Sequence, residues 1–348
     1  MSTKTKTLIV DGQWNLKRNF FKRKDLMSAN GHLCGGSFGF IDSLRVVMNK
    51  LLPDRVIVCW DGFKAGKYRY QIYPQYKSNR KYKNWESEER AIANDGLSNP
   101  QDNQQVELLK QKIQLQNILE ELFVRQIEVD YIEADDLIAQ YVLLSESDEN
   151  EEVYIFSRDK DYLQLISDKV FIISSDSHFT INRKQYEEKY GHTLDNELLF
   201  KCFEGDDGDA ITGVNGIKRE TLIKYFPNIK KEKYLYKRLI EECYEEKKDK
   251  KKKNRKIYDK IIEAEHILYR NARLMNLKKP FVTEEAKKMV NIIRNGTLSE
   301  ERSIMDAINL FTKEGMSGIV GNAYLDNFFS PFYMLMTKEK EYAKKMKI

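Results

Sequence analysis

The 348 residues are enough for roughly two domains of typical size, about 150 residues each, and for a sizeable core. Hydrophobic residues at 41%, aromatics at 11% and only 6 Pro and 17 Gly exclude a disordered, collagen-like or low-complexity chain. Charge is nearly balanced, 59 basic against 54 acidic residues for a net +5, so its distribution says more about a partner than its sum.

The first apolar run, TKTLIVDG (5–12), is cut short by Asp11, and no stretch reaches the roughly 20 apolar residues of a membrane span. Neither a signal peptide nor a membrane contact is expected, and the chain reads as cytoplasmic. After a helical stretch, SFGFIDSLRVVMNKLL, the run RVIVCWDG (55–62) repeats the apolar-then-acid pattern. A second helical stretch, VELLKQKIQLQNILEELF, leads to RQIEVDYIEADD (125–136), and VYIFSRDKD (153–161) and KVFIISSD (169–176) complete the series. Short β-branched runs alternating with helical periods predict an α/β fold, a mostly parallel sheet with crossover helices. Helical periods dominate after residue 183, so the expected organisation is an α/β domain over 1–182 and a helical region over 183–348. Cys34, Cys59, Cys202 and Cys243 lie far apart with no zinc spacing and read as reduced packing residues.

Asp11, Asp61, Glu133 and Asp159 each fall at or just past the C-terminal end of a predicted strand, the edge where open α/β sheets bind ligands. Asp135 and Asp136 open the predicted helix after Glu133, where the helix dipole favours ionised carboxylates. Asp161 stands two residues past Asp159, and Asp206 and Asp209 have the spacing that points both the same way on a helical turn. Any one such Asp could be a turn residue or a helix cap. Nine acids in one crevice would repel one another unless cations neutralised them, so jointly they point to a metal site. All-oxygen ligation favours magnesium or manganese over zinc.

Between Asp61 and the helix near 105 lies a long insertion (about 62–104), and long insertions in compact domains are usually functional or disordered. Residues 63–90 carry eight Lys/Arg against three Glu, interleaved with tyrosines, as in a channel for a single nucleic-acid strand. Further on, TGVNGIKRETLIKYF (212–226) has the form of a glycine hairpin entering a helix. Gly213 and Gly216 permit positive φ, and free amides beside Lys218 and Arg219 offer a phosphate-binding turn. The lysine run at 247–256 reads as an exposed loop. GFKAGK lacks the spacing of a P-loop, and the four histidines are scattered.

In their order and spacing, LIVDG, WDGFKAGKYR, YPQYKSNR, YIEADDLIA, FSRDKDYLQL and FEGDDGDAITGVNGIK resemble the blocks of the flap endonuclease/5′-3′ exonuclease family, and within it the phage enzymes with ribonuclease H activity. The resemblance implies a PIN-like domain in which Asp11, Asp61, Glu133, Asp135, Asp136, Asp159, Asp161, Asp206 and Asp209 hold two Mg²⁺ ions, with Mn²⁺ as a substitute. Among these, Asp135 and Asp159 are the acids expected to matter most for catalysis. Tyr76, Lys77 and Arg80 match the family's arch motif, Lys77 and Arg80 acting on the scissile phosphate and Lys64 and Tyr76 contacting the strand. Residues 205–226 match a helix-hairpin-helix that grips duplex through Gly213, Gly216, Lys218 and Arg219, with a K⁺ ion at the turn, although Lys218 stands where the family often has glycine. The implied substrates are DNA with a 5′ flap or nick and RNA-DNA hybrid, cut by a monomer. The implied partners are a single-strand DNA-binding protein and a sliding clamp. Two alternatives stand beside this reading: a non-catalytic nucleic-acid-binding protein on a nuclease fold, and a PIN-type ribonuclease acting on single strands.

Overall fold

Each of the five apolar runs is a strand: β1 (Thr5–Asp11), β2 (Arg55–Asp61), β3 (Arg125–Val129), β4 (Glu151–Phe156) and β5 (Val170–Ile173). The computed structural model describes residues 4–79, 100–173, 180–248 and 255–346. A short antiparallel strand, β6 (Thr180–Ile181), closes one edge, and the lateral order is β3-β2-β1-β4-β5-β6 with the first five parallel. Leu8, Ile9 and Val10 are fully buried because helices cover both faces, which explains why β1 is a continuous apolar run rather than an alternating one. The strand order reverses between β1 and β4, where ligand crevices form in such sheets. Asp11 is paired with Cys59 and Val10 with Phe156, so β1, β2 and β4 open on the same carboxyl edge.

Helices Gly12–Lys22, Gly35–Leu51 and Pro100–Glu121 bring apolar side chains to one face, and Ala134–Ser145 packs on the other. The expected division at residue 182 does not describe the packing of the last third of the chain. Helices Glu197–Glu204, Arg219–Tyr225, Tyr236–Lys248, Arg255–Glu263 and Glu265–Met275 do form a core of their own. The chain then returns to the sheet: Phe311, Phe328, Phe329, Phe332 and Leu335 join the core of the first face, and Ala286 and Val290 join that of the second. The reason is burial, since those apolar stripes cover sheet surface that would otherwise meet water. Arg125, 1% exposed, locks the return by pairing with buried Glu339 at 2.6 Å and donating to the carbonyls of Ile293 and Gly296. All four cysteines are buried free thiols. No helix among the described residues is long and apolar enough to cross a membrane.

The glycine turn lies between helices Glu197–Glu204 and Arg219–Tyr225, after a two-strand hairpin (Gly205–Asp206 with Ile211–Thr212). Gly216 has φ +74°, as its glycine predicts, but Gly213 does not share that conformation. Gly213 is needed for close approach: a Cβ there would lie 2.2 Å from the Phe203 carbonyl oxygen. Gly213→Ala is therefore expected to destabilise the chain by about 2 kcal/mol, by forcing two backbones apart, and urea denaturation would measure it.

Candidate metal centre

Asp11 ends β1 and caps the first helix, its Oδ1 accepting the Trp14 N–H at 3.0 Å. Its Oδ2 accepts the hydroxyls of Tyr162 at 3.1 Å and Ser157 at 3.3 Å. Burial, reinforced by Asp61 and Asp159 and opposed by the Trp14 and Tyr162 bonds, pushes its carboxyl up to about 7. Asp61, at the end of β2, accepts the Ala134 N–H at 2.9 Å. Asp159 caps the turn 160–165, accepting the Asp161 N–H at 2.8 Å. Capping and charge clustering thus coexist, because an acid that caps with one oxygen keeps the other for a cation.

Glu133, Asp135 and Asp136, at the start of helix 134–145, offer carboxylate oxygens within 4.8 Å of one another, and theirs is the one such trio among the described residues. Arg69 is driven into it from the short helix Lys67–Ile72. It is 4% exposed, donates to Glu133 and Asp136, and approaches Asp135 at 3.5 Å. Lys77 pairs with Glu133 from the other side, and the Tyr76 hydroxyl donates to Glu133 at 3.1 Å. Burial would raise the Glu133 carboxyl, yet Lys77 and Arg69 hold it at about 2. For Asp135 and Asp136 burial prevails over Arg69, and both carboxyls are pushed up. The Asp135 Oδ1 is buried with no hydrogen-bond partner. Crowded oxygen donors, two raised carboxyls and an unpartnered oxygen fit a hard divalent cation.

A second pair lies across the crevice, where Lys201 bonds Asp161 and also Asp206 at 3.3 Å. Asp206 and Asp209 are not on a helical turn, as their spacing suggested. They flank the tip of the hairpin, where the Asp209 N–H donates to Asp206 Oδ1 at 3.2 Å and Ala210 takes a left-handed φ of +55°. Tyr76 ties the two groups together, its hydroxyl reaching Asp209 at 3.0 Å as well as Glu133. Tyr76 is 2% exposed, so the expected strand contact is instead a buried strut that positions carboxylates. Arg69 and Lys201 are the functional side chains that sequence reasoning missed. Their signal is a cation set within apolar or aromatic runs, KYRYQIY and LLFKCF.

Residues 6–191, more than half of the chain, match the family described as the 5′-3′ exonuclease N-terminal, resolvase-like domain. The chain belongs to the 5′-3′ exonuclease family. It is 30% identical over 227 residues to a 5′-3′ exonuclease of Buchnera aphidicola, an alignment covering 64% of this chain and 71% of that one. It is also 30% identical over 222 residues to the thermostable DNA polymerase I of Thermus thermophilus, 64% of this chain but only 24% of the polymerase. The fold matches the phage T5 D15 protein, solved with metal ions, at a TM-score of 0.57 and 22% identity over 95% of this chain and 99% of that one. The flap endonuclease/5′-3′ exonuclease resemblance and the PIN-like fold are therefore correct.

Lys64 and Lys77, on the expected path of the strand, both take left-handed φ, +54° and +55°, in the strained region that non-glycine residues avoid. The Lys77 backbone is held there by its N–H donating to the Asp209 carbonyl at 2.8 Å. Arg80, and the rest of the insertion to residue 99, lie outside the described residues. At the glycine turn, Lys218 reaches the Glu204 carbonyl at 3.2 Å and is exposed. The Arg219 side chain, expected to face phosphate, is turned inward. It pairs with Glu197 at 3.1 Å and Glu204 at 3.5 Å and lies over the Phe200 ring, because the buried Glu197 carboxylate needs a cation.

Proposed function

We propose that this chain is a divalent-metal-dependent, structure-specific 5′ nuclease. On this reading it hydrolyses phosphodiester bonds at 5′ flaps, nicks and RNA-DNA hybrids, acts as a monomer, and removes RNA primers and flaps during DNA replication. The observation that carries the reading is the carboxylate trio Glu133, Asp135 and Asp136, crowded around a buried guanidinium with an oxygen left unpartnered. Mg²⁺, with Mn²⁺ as a substitute, would be held by these acids together with Asp11, Asp61, Asp159, Asp161, Asp206 and Asp209, and supplies Lewis-acid polarisation of a phosphoryl oxygen and activation of water at neutral pH. The protein's own groups do the rest. Arg69 and Lys201 neutralise the acids and hold the crevice together against self-repulsion. Lys77, already beside Glu133, is placed to exchange that carboxylate for the scissile phosphate, with Arg80 as its companion. Gly216 and Lys218 give the duplex a second foothold away from the cut. The alternatives, a non-catalytic binder and a single-strand ribonuclease, are separated from this reading by one assay. With Mg²⁺, on matched flap, nicked, hybrid and single-stranded substrates, cleavage of the flap and hybrid near the junction is expected, with little on the single strand. Equal cleavage of single-stranded RNA, or binding without cleavage, would sink it.

A further inference from the structure

Behind the acid cluster, where the helical region meets the sheet domain, a cavity of about 460 Å³ lies between helices 197–204, 236–248 and 265–275 and the segment 276–281. That volume is in the range of small-molecule sites, about 300–1,000 Å³. Leu198, Leu199 and Phe281 give it apolar walls, and Tyr236 and Tyr269 line it as well. Tyr269 is 53% exposed, so its ring is within reach of a ligand entering from solvent. Four cations ring the opening: Lys233, Arg273, Lys278 and Lys279. Among the described residues none of the four has a carboxylate at ion-pair distance, and Arg273 lies 5.9 Å from the Tyr269 ring centre instead. Asp195, the acid in the wall, is already engaged by Arg183 at 3.2 Å and by the Thr193 hydroxyl. Partial burial, with Lys233 and Arg183 nearby, holds the Lys278 ammonium below the usual lysine range, although Asp195 draws it the other way.

An apolar cavity lined by tyrosine rings, with surplus positive charge, calls for a ligand with a flat apolar body and an anionic group. Aromatic faces stack on nucleobases, and guanidinium and ammonium groups bind phosphate. We propose that this cavity binds a nucleoside monophosphate, the base against Tyr269 and Tyr236 and the phosphate on Arg273, Lys278 and Lys279. The source of such a ligand rests on the nuclease reading, since 5′ hydrolysis releases nucleotides of this class. The binding itself does not need turnover. The cavity's lining residues connect to the acid cluster. The Phe281 N–H donates to Asp136 Oδ1 at 2.9 Å, Cys202 follows Lys201, and Gln164 is fixed by the Met275 carbonyl at 2.9 Å just beyond the Asp159–Asp161 turn. An occupant would therefore touch the backs of the elements that hold the acids.

The test is titration calorimetry on the full chain with a chelator present, using deoxyadenosine monophosphate, deoxyadenosine, inorganic phosphate and a short oligothymidylate in turn. Saturable binding of one monophosphate per chain is expected, with the nucleoside and free phosphate each at least about tenfold weaker. Arg273→Ala with Lys278→Ala, and separately Tyr269→Ala, should weaken the monophosphate at least about tenfold with unchanged thermal melting, while Lys287→Ala on the exposed helix 284–295 should not. Phosphate binding as tightly as the nucleotide would reduce the rim to a general anion site and overturn the proposal. So would the absence of saturable monophosphate binding, or a loss confined to the oligonucleotide. Cleavage by the wild type, assayed separately with metal, keeps the two readings apart. Loss of monophosphate binding with intact cleavage removes the pocket alone, and binding without any cleavage leaves the pocket and removes the nuclease reading.

Discussion

Asp135→Asn and Asp159→Asn are each expected to lower the single-turnover cleavage rate by about three orders of magnitude, ~4 kcal/mol of transition-state stabilisation, while leaving duplex affinity nearly unchanged. Both changes keep side-chain volume and remove one negative charge. At Asp159 the fold has a further safeguard, because asparagine caps as well as aspartate and can still accept the Asp161 N–H now held at 2.8 Å. At Asp135 the Oδ1 has no protein partner, so little internal structure depends on that side of the carboxylate. Substrate affinity, by fluorescence anisotropy in the presence of calcium, separates binding from chemistry, and a thermal melt checks folding. Near-normal magnesium-dependent turnover in either variant would show that the acids are structural and that the crevice is not the reaction centre.

What the sequence made legible was the edge where the acids gather. A parallel strand covered on both faces must be a continuous apolar run, so the residue that breaks the run marks where the strand leaves the core. Asp11 and Asp61 are such residues, each the last of its strand. Glu133 was equally visible as the position where an apolar run becomes a helix. The cations were not visible in the same way. Arg69 lies in a stretch dense with lysine, arginine and tyrosine and reads there as one more phosphate contact. Only the three-dimensional approach of helix 67–72 to helix 134–145, 64 to 67 residues apart in sequence, reveals it as the internal counter-ion. Tyr76 was misread for the same reason, since an aromatic among basic residues looks like a stacking face until its burial is known. The return of the C-terminal helices to the sheet was hidden by distance, the Arg125–Glu339 pair joining residues 214 apart. Local patterning reports which face of an element is apolar and cannot say which surface it will cover.

Arg69→Met is expected to be the most destabilising single change at the crevice. The guanidinium is buried and serves Glu133, Asp135 and Asp136 at once, so its removal leaves Asp135 and Asp136 without their cation and Glu133 with Lys77 alone in a poorly solvated site. Breaking a buried ion pair from one side costs about 3–5 kcal/mol, which in a chain of this size lowers the melting temperature by about 5–10 °C. The penalty should depend on pH with a definite sign. Without Arg69 the Asp135 and Asp136 carboxyls, already raised by burial, rise further above their unfolded values of about 4, while Lys77 still holds Glu133 low, so the variant is relieved by protonation of the two aspartates. Stability relative to wild type is then nearly kept at about pH 5 and lost as pH rises through the elevated folded-state values toward about pH 8. Divalent metal acts in the opposite sense. A cation that binds the folded trio replaces the missing positive charge, so Mg²⁺ or Mn²⁺ should recover a larger share of the melting temperature in Arg69→Met than it adds to the wild type. Differential scanning calorimetry at the two pH values, with chelator and with metal, reads all of these effects. A variant that melts like wild type in chelator at high pH would show that Arg69 is not the counter-ion of the trio, and a deficit that metal leaves untouched would show that the trio does not bind it.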